Sequence, residues 1–426
     1  MDIKEPLFDK TSLFEARQGG YATYRIPGIV VTARGTVLAY CEGRKHDKDD
    51  WGAIDILMRR STDGGCTWGE RQRISRLGHR VAKNPVARQQ KPALSPWSSG
   101  PRTEGLVEGL ASSDGQTFNN PVAIADRRTG AVHFLYCAEY ARCYYVRSDN
   151  DGQRLSHAVD ITSTFEQFRP EYEWRVIATG PGHGIQLRSG RLLVPIWMST
   201  GAGEGAHRPS VVSVIYSDDG GQTWQRGEIV VRHSDTVPNP SEGVATQLRD
   251  GRVMLNIRNE SGRHRRLVSL SADGVRGWSE ATFAEDLFEP VCFASLLCLS
   301  GHREHKAEPI LFVNPDSRDN PQGPNYWLPW PSACPEPLVL RPKDGGLSLR
   351  RNLTVRLSCD RGRTWPVSKV LDPGISGYAD LAAGPDGTIY CFYESGGIGG
   401  DAFDTACLML ARFNLAWLTE GTCTPM

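Results

Sequence analysis

Seven residues whose side chains can bind an anion or move a proton stand beside strand-like runs of the sequence. They comprise three arginines, three carboxylates and one tyrosine: Arg25, Arg258, Arg350, Asp50, Glu242, Glu394 and Tyr378. A guanidinium group is always charged, and its fork of N–H donors matches a carboxylate, so three of them could hold an anionic ligand. Carboxylates and a tyrosine beside that ligand could donate or accept protons.

These residues need a scaffold, and a repeated eight-residue pattern indicates one. The pattern Ser-x-Asp-x-Gly-x-Thr-Trp occurs at 61–68, 217–224 and 358–365, with weaker copies at 148–155 and 271–278. Short Ser and Asp side chains accept hydrogen bonds from turn amides, Gly adopts a positive φ, and Trp is expected to pack the turn onto the sheet. An apolar, strand-like run precedes each copy. Irregularly spaced repeats of this kind favour the blades of a β-propeller, so we assign the repeat turns an architectural role.

Hairpin turns predict on which side of the sheets the seven residues lie. Tight turns are predicted at Gly35, Gly190, Gly251 and Gly387, each between the first two strands of a blade. Because antiparallel strands reverse at each turn, these turns and the repeat turns must share one rim. The opposite rim then collects the seven residues, together with His183 and the segment 42–50. A propeller binds its ligand at such a convergence of strand ends.

Length and composition favour one large all-β domain. The 426 residues could form two or three domains, but repeats that run from Ser61 to Trp365 favour a single domain over 1–426 with long loops at 81–109 and 314–346. One short helix is indicated within 161–168. The 49 basic and 49 acidic residues balance, which gives no reason to expect a nucleic acid or an anionic membrane as the main partner.

The cysteines and the N-terminus indicate in which cellular compartment the protein is expected. The 11 cysteines form no C-x-x-C pair and fall mostly in strand-like runs, where a free thiol acts as a small apolar residue. The N-terminus has no apolar signal-peptide core, and no stretch approaches transmembrane length. We therefore expect a cytoplasmic protein without a membrane span, although a chain trimmed of its signal peptide would look much the same.

The order of the motifs resembles that of the exo-sialidases (neuraminidases) of the bacterial and animal type. YRIP at 24–27 comes first, several Ser-x-Asp-x-Gly-x-Thr-Trp turns (Asp-boxes) follow, and SGYADL at 376–381 comes last. GPGHGIQLRSGRL at 180–192 is similar to the corresponding segment of animal cytosolic and membrane-associated members. The resemblance runs from about Tyr24 to Glu394 and implies a six-bladed β-propeller with Asp-box turns. It also implies removal of terminal sialic acid from glycoproteins, glycolipids or oligosaccharides with retention of configuration.

The resemblance implies a role for each of the seven residues. Sialic acid carries a carboxylate on its anomeric carbon, which Arg25, Arg258 and Arg350 would bind. Glu394 would orient the first of these arginines. A carboxylate nucleophile would be repelled by the charge of the substrate, which is why sialidases use a tyrosine.

In this scheme Tyr378 is the nucleophile and Glu242 its base. Asp50 would be the general acid at the glycosidic oxygen, with Asp47 and Asp49 of the same loop as competitors. For the third arginine the segment 350–356 also offers Arg351 and Arg356. Strand alternation places Arg351 on the opposite face, and Arg356 lies beside the repeat turn at the far rim, so both the strand and the family pattern select Arg350.

Other features of the sequence suggest no metal and no cofactor. His302 and His305 have no further ligands clustered with them, and Gly201-x-Gly-x-Gly follows no βα pattern. The arginine-rich run 263–266 is interpreted as a solvated turn. The loop 314–346 contains Tyr326, Trp327 and Trp330, and we expect it either to shape the aglycone side of the site or to pack on the propeller wall.

Three other functional classes remain open at this point. A trans-sialidase would use the same residues and pass the sugar to an acceptor. A catalytically silent sialic-acid-binding propeller would need the arginines but no nucleophile or acid, and a structural scaffold would need no charged rim at all. The linkage preference, the natural glycoconjugate and the oligomeric state are not fixed by the sequence.

Overall fold

The computed structural model describes residues 5–46, 49–89, 115–202, 206–299, 309–318, 350–398 and 402–420. Regular structure in these ranges is almost entirely β, in five sheets. Strand β1 covers Phe8–Glu15 and pairs with the last strand of the chain. The first sheet contains β2 (Thr23–Val31), β3 (Val37–Arg44), β4 (Ile54–Ser61) and β5 (Gln72–Arg73).

The second sheet follows a 3-10 helix at Pro85–Gln89. Its strands are β6 (Phe118–Ala125), β7 (Val132–Ala138), β8 (Arg142–Ser148) and β9 (Val159–Asp160). Helix α1 then covers Ser163–Glu166, inside the short helix that the sequence indicates. The chain continues with β10 (Val176–Thr179) and with β11 (Gly182–His183), which returns to pair in parallel with β6.

The third sheet is built on β10 and the strands that follow β11. These are β12 (Ile185–Gln186), β13 (Leu192–Ser199), β14 (Ser210–Ser217), β15 (Gln225–Arg226) and β16 (Val231–Arg232). The fourth sheet contains β17 (Gly243–Gln247), β18 (Val253–Ile257), β19 (Arg265–Ser271) and β20 (Thr282–Phe288).

The fifth sheet runs to the C-terminal part of the chain. It contains β21 (Ser295–Cys298), β22 (Ile310–Pro315), β23 (Arg351–Ser358), β24 (Val367–Ala383), β25 (Ile389–Gly397) and β26 (Thr405–Phe413), and helix α2 covers Leu415–Thr419. Strand β24 serves two strand groups, because its first half pairs with β23 and its second half pairs with β25. The second group ends with β26 and β1, so the N-terminal strand completes a group of C-terminal strands.

All five repeat turns have the predicted hydrogen bonds. In each turn the Ser hydroxyl accepts a glycine N–H, from Gly65, Gly152, Gly221, Gly274 or Gly362, at 2.8 to 3.0 Å. The third residue of the pattern accepts a second backbone N–H, and Asn150 does so in the copy where Asn replaces Asp. The repeats are therefore local turn structures, as the sequence predicts.

The predicted hairpin turns are also confirmed. They fall between β2 and β3, β12 and β13, β17 and β18, and β24 and β25, with Gly35, Gly190, Gly251 and Gly387 at φ between +84° and +98°. Apolar side chains from adjacent sheets pack together, for example Leu135 of the second sheet with Ile196 and Ile215 of the third. Both faces of most strands are buried in this way, which explains their continuous apolar runs.

The structure corrects one boundary and leaves other predictions untested. Asn314 and Pro315 belong to β22, so the second long loop begins after them. The rest of that loop beyond Arg318, including its three aromatic residues, lies outside the described residues, as do His302, His305 and residues 90–109. In the described ranges no helix is long and apolar enough to cross a membrane, and the nine cysteines present there are all free thiols.

Candidate active site

Six of the seven predicted residues line one cleft of about 720 Å³. The seventh, Glu394, is buried and bonded to Arg25. Six of the seven come from a strand end or a strand bulge of the rim opposite the repeat turns, and Asp50 lies in the loop between β3 and β4 at that rim. The structure thus brings together residues that are up to 369 positions apart in the chain.

Arg25 and Glu394 form a buried pair in a bulge of β2. Glu394 Oε1 accepts a bond of 3.1 Å from Arg25 Nε, and Oε2 accepts one of 3.3 Å from Nη2. The register of β2 slips between Arg25 and Gly28, and Ile26 has φ +59°. This turns the N–H of Ile26 onto Glu394 at 3.0 Å. Burial alone would lower the pKa of Arg25, but Glu394 outweighs it and the pKa lies above its usual value.

Glu242, Arg258 and Tyr378 form a closed triangle of hydrogen bonds. Glu242 and Arg258 face each other at the open end of the β17–β18 hairpin, where the N–H of Arg258 donates to the carbonyl of Glu242 at 3.0 Å. Tyr378 Oη donates to Glu242 Oε1 at 2.5 Å. Arg258 Nη1 donates both to Glu242 Oε2 at 2.6 Å and to Tyr378 Oη at 2.7 Å.

The tyrosine of this triangle is protonated in the unliganded protein. Burial, above all, raises the pKa of Tyr378 well above its usual value, and Arg258 only partly counteracts it. A carboxylate oxygen at 2.5 Å from the hydroxyl can nevertheless receive its proton during a reaction. The geometry thus provides a neutral phenol with a base already in contact.

Arg350, just before β23, lies against Tyr378 of β24. Its guanidinium lies 5.4 Å from the Tyr378 ring centroid and 4.4 Å from that of Phe403, and its Nη2 donates to the carbonyl of Val291 at 2.6 Å. The guanidinium of Arg25 lies 5.5 Å from the Tyr378 ring. All three arginines of the site therefore contact Tyr378.

The other two arginines of this segment lie elsewhere. Arg356 pairs with Asp316 and lines a surface depression with Trp365, beside the repeat turn, as predicted. Simple alternation does not hold along this strand, because the register of β23 shifts at Asn352 and again between Leu353 and Thr354, and Asn352 has φ +57°. Arg350 itself precedes the strand by one residue.

Asp50 faces the cleft between two arginines. Its Oδ1 lies 2.8 Å from Arg44 Nη1 and 4.0 Å from Arg25 Nη1, and its side chain is 43% exposed. Desolvation in the cleft works to raise its pKa, but Arg44 and Arg25 outweigh it and lower the pKa to about 2. Asp49 instead accepts the backbone N–H of Trp51 at 3.0 Å, and Asp47 lies outside the described residues.

Several residues that line the cleft or lie beside it were not singled out from the sequence. Arg44 is fully buried and is held by Glu42, with the two side chains 2.7 Å apart. An aromatic wall adjoins Asp50 and consists of Trp51, Tyr140, Trp197 and His207. Burial lowers the pKa of His207, although Asp50 partly opposes the effect. Tyr140 and Trp197 lie near strand ends of the ligand rim, so the strand pattern could have found them.

Backbone strain is concentrated around the site. Ile26, Asn120, Val291 and Asn352 are non-glycine residues with φ between +53° and +59°. Ile26 and Asn120 line the cleft, Val291 bonds to Arg350, which also lines it, and Asn352 lies two residues after Arg350. Left-handed backbone at a non-glycine residue costs about 1–3 kcal/mol and persists only where neighbouring contacts enforce it.

Two predictions from the sequence are corrected here. The run 263–266 is not wholly a solvated turn, because Arg266 lies in β19 with no exposed surface and pairs with Glu289. His183 is not among the cleft residues but bonds through Nδ1 to the buried Asp380 at 2.7 Å. Within the described ranges no group of His, Cys, Asp and Glu side chains has the geometry of a metal site.

Comparison with known proteins places this geometry in a family. The family model described as a BNR repeat-like domain matches residues 35–391. A sialidase of Micromonospora viridifaciens is 32% identical over 99% of this chain, which spans 56% of the length of that relative. The solved structure of the Hadza microbial sialidase Hz136 has a TM-score of 0.68 at 24% identity and covers 96% of this chain, which in turn covers 69% of that structure.

A second solved structure is of comparable similarity. The intramolecular trans-sialidase from Ruminococcus gnavus has a TM-score of 0.67 at 16% identity, with 96% of this chain and 98% of that chain covered. At such identities the structural comparisons establish the fold alone. That fold, with its Asp-box turns, defines the class as a β-propeller with BNR repeats. The chain belongs to the exo-sialidase (neuraminidase) family.

Proposed function

We propose that this protein is a retaining exo-α-sialidase that hydrolyses terminal sialic acid from glycoproteins, glycolipids or oligosaccharides. In this proposal the chain forms one six-bladed propeller domain. Each of the first four sheets supplies a blade, and the two strand groups that share β24 supply the other two.

The observation that carries the proposal is the contact of Tyr378 with Glu242 and with three arginines. A glycan-binding protein needs positive charge for the substrate carboxylate but has no use for a phenol bonded to a carboxylate at 2.5 Å. Two acidic groups in a cleft that also binds an anionic sugar, Glu242 and Asp50, would weaken the binding of that sugar. Such an arrangement is explained by catalysis.

The proposed first step forms a glycosyl–enzyme intermediate. Arg25, Arg258 and Arg350 bind the substrate carboxylate, and Tyr378 Oη attacks the anomeric carbon while its proton passes to Glu242. The bond from that carbon to the leaving oxygen breaks, and Asp50 gives the oxygen its proton. Because the attacking group is neutral until the proton leaves, the negative substrate does not repel it.

The proposed second step releases the sugar. Asp50, now a carboxylate, takes a proton from water as the water oxygen attacks the anomeric carbon. Tyr378 leaves as a phenolate stabilised by Arg258 and recovers its proton from Glu242. Two displacements at one carbon restore the original configuration.

Asp50 must gain a proton when the substrate binds, because it is ionised in the free protein and acts as the acid in the first step. Its pKa of about 2 in the free protein reflects Arg44 and Arg25. A substrate carboxylate on Arg25 cancels part of that positive charge, and exclusion of water from the cleft disfavours a second anion. Both effects raise the pKa of Asp50 and allow it to act as an acid.

The test is the stereochemistry and the fate of the released sugar. Incubation with an aryl α-sialoside, followed by proton NMR, should detect free sialic acid as the α anomer before mutarotation. The inverted anomer as first product would contradict the proposal, and binding without turnover would favour the silent binding protein. Added lactose tests for transfer, since sialyl-lactose as the main product would make the protein a trans-sialidase.

A further inference from the structure

The fully buried ion pair of Arg266 and Glu289 lies behind Arg350. Neither side chain has exposed surface, and Arg266 Nη1 lies 2.5 Å from Glu289 Oε2. Arg266 Nε also donates to Asn256 Oδ1 at 2.7 Å. Taking two charges out of water costs several kcal/mol per ion, so such a pair is weak grounds for stability by itself. The contacts of this ion pair with the backbone suggest a second role, which is to fix the position of a peptide group.

Both members of the pair bond to the backbone of Cys292. Arg266 Nη1 donates to the carbonyl of Cys292 at 3.0 Å, and Glu289 Oε1 accepts the N–H of Cys292 at 2.9 Å. That N–H belongs to the peptide group that joins Val291 to Cys292. The carbonyl of the same peptide group, on Val291, accepts Arg350 Nη2 at 2.6 Å.

This peptide group is therefore held from both sides. In a trans peptide the N–H and the C=O point in opposite directions, so fixing one direction fixes the other. Val291 has φ +58°, which is unfavourable for a β-branched residue and persists only where neighbouring contacts enforce it. Rotation of the Val291–Cys292 peptide group would turn its carbonyl away from Arg350. Glu289 opposes that rotation, because rotation would break its bond to the N–H.

We propose that Glu289, held in place by Arg266, is a positioning residue that aims the Val291 carbonyl and through it orients Arg350 for the substrate carboxylate. The inference rests on the proposed function, in which Arg350 binds that carboxylate. Glu289 itself does not touch the sugar, so it acts only through the arginine.

The variant that tests this is Glu289→Gln, which keeps the size of the side chain but removes the charge that binds Arg266. The KM for an aryl sialoside and the inhibition constant of a free sialic acid analogue should both rise about ten-fold, the effect of one misplaced charge-assisted bond, with a smaller change in kcat. The matched control is Asp316→Asn. It weakens another buried arginine pair, Arg356–Asp316, away from the cleft. It should lower Tm and leave KM within about two-fold.

A double-mutant cycle separates positioning from a general loss of structure. In an Arg350→Ala background, Glu289→Gln should change KM by less than about two-fold, because the group that it orients is absent. Arg266→Lys, which retains a buried charge, should raise KM by a smaller factor than Glu289→Gln and likewise only while Arg350 is present. It keeps the proposal testable if the first variant does not fold.

The outcomes distinguish failure of the positioning role of Glu289 from failure of the proposed function of Arg350. Equal KM increases with and without Arg350, or a wild-type KM in both single variants, would overturn the positioning role. If Arg350→Ala itself leaves KM unchanged, the assignment of Arg350 in the proposed function is wrong and the positioning role falls with it. A KM rise of similar size in Asp316→Asn would identify the effect as a loss of stability.

Discussion

Glu394 connects Arg25 to the backbone of Tyr378. Its carboxylate bonds to the Arg25 guanidinium through both oxygens, and Oε2 also accepts the N–H of Tyr378 at 3.1 Å. One buried side chain therefore sets the position of an anion-binding group and of the residue proposed as nucleophile. Gly377 packs so closely against Glu394 that a side chain does not fit there, because a Cβ on residue 377 would lie 2.1 Å from Glu394 Oε2.

Glu394→Gln should weaken substrate binding through Arg25. The amide keeps the shape of the carboxylate but loses the charge that holds the guanidinium, so we expect KM to rise about ten-fold. Steady-state kinetics with an aryl sialoside would measure this, with Tm as a check on folding. An unchanged KM would show that Arg25 is held by other contacts.

Ligand binding should be accompanied by proton uptake at Asp50. Its pKa is about 2 in the free protein, so it is ionised at pH 5. A bound carboxylate raises that pKa, so the complex holds more protons and affinity increases as pH falls through the raised value. Calorimetric titration with a sialic acid analogue in buffers of different ionisation enthalpy would measure the uptake. Uptake that persists unchanged in Asp50→Asn would assign it to another group.

The loss of activity in Asp50→Ala should depend on the leaving group. A phenol of low pKa departs without a proton, whereas a sugar hydroxyl needs one. We therefore expect a loss on sialyl-lactose that exceeds the loss on an activated aryl sialoside by about 10²-fold or more. Parallel kcat/KM measurements on the two substrates give the ratio, and equal losses would point to a different acid.

Arg350 and Arg356 should respond to alanine in opposite ways. Arg350→Ala should raise KM by about 100-fold, because it removes a direct bond to the substrate carboxylate, while the fold is retained. Arg356→Ala should reduce the free energy of unfolding by about 2 kcal/mol with KM unchanged, since Asp316 keeps its bond to Arg318. Thermal unfolding and kinetics on both variants test the pair, and the reverse result would overturn the strand register.

The sequence predicted much of this site because its determinants are local. The Asp-box turns are closed by bonds within four residues, as between Ser217 and Gly221, so their sequence suffices. Once those turns fix one rim, strand direction alone puts residues such as Glu242 and Arg258 at the other. Contacts between residues that are far apart in the sequence could not be predicted in this way.

Nothing local distinguishes Arg266 from the solvated arginines beside it. Its burial depends on Glu289, 23 residues later. Phe403 likewise contacts two arginines that are distant from it in the sequence, Arg25 and Arg350. The bulge at Asn352 depends on pairing with β24, which a strict period of two does not encode. Non-local contacts of these kinds could not be obtained from sequence spacing.

The most direct test of the central claim is the identity of the residue that bonds covalently to the sugar. A fluorinated sialosyl fluoride slows release of the intermediate, so the labelled protein can be digested and its peptides sequenced by mass spectrometry. We predict one label, on Tyr378, that is absent in Tyr378→Phe and depends on Glu242. A label on any other residue, or full activity in Tyr378→Phe, would contradict it.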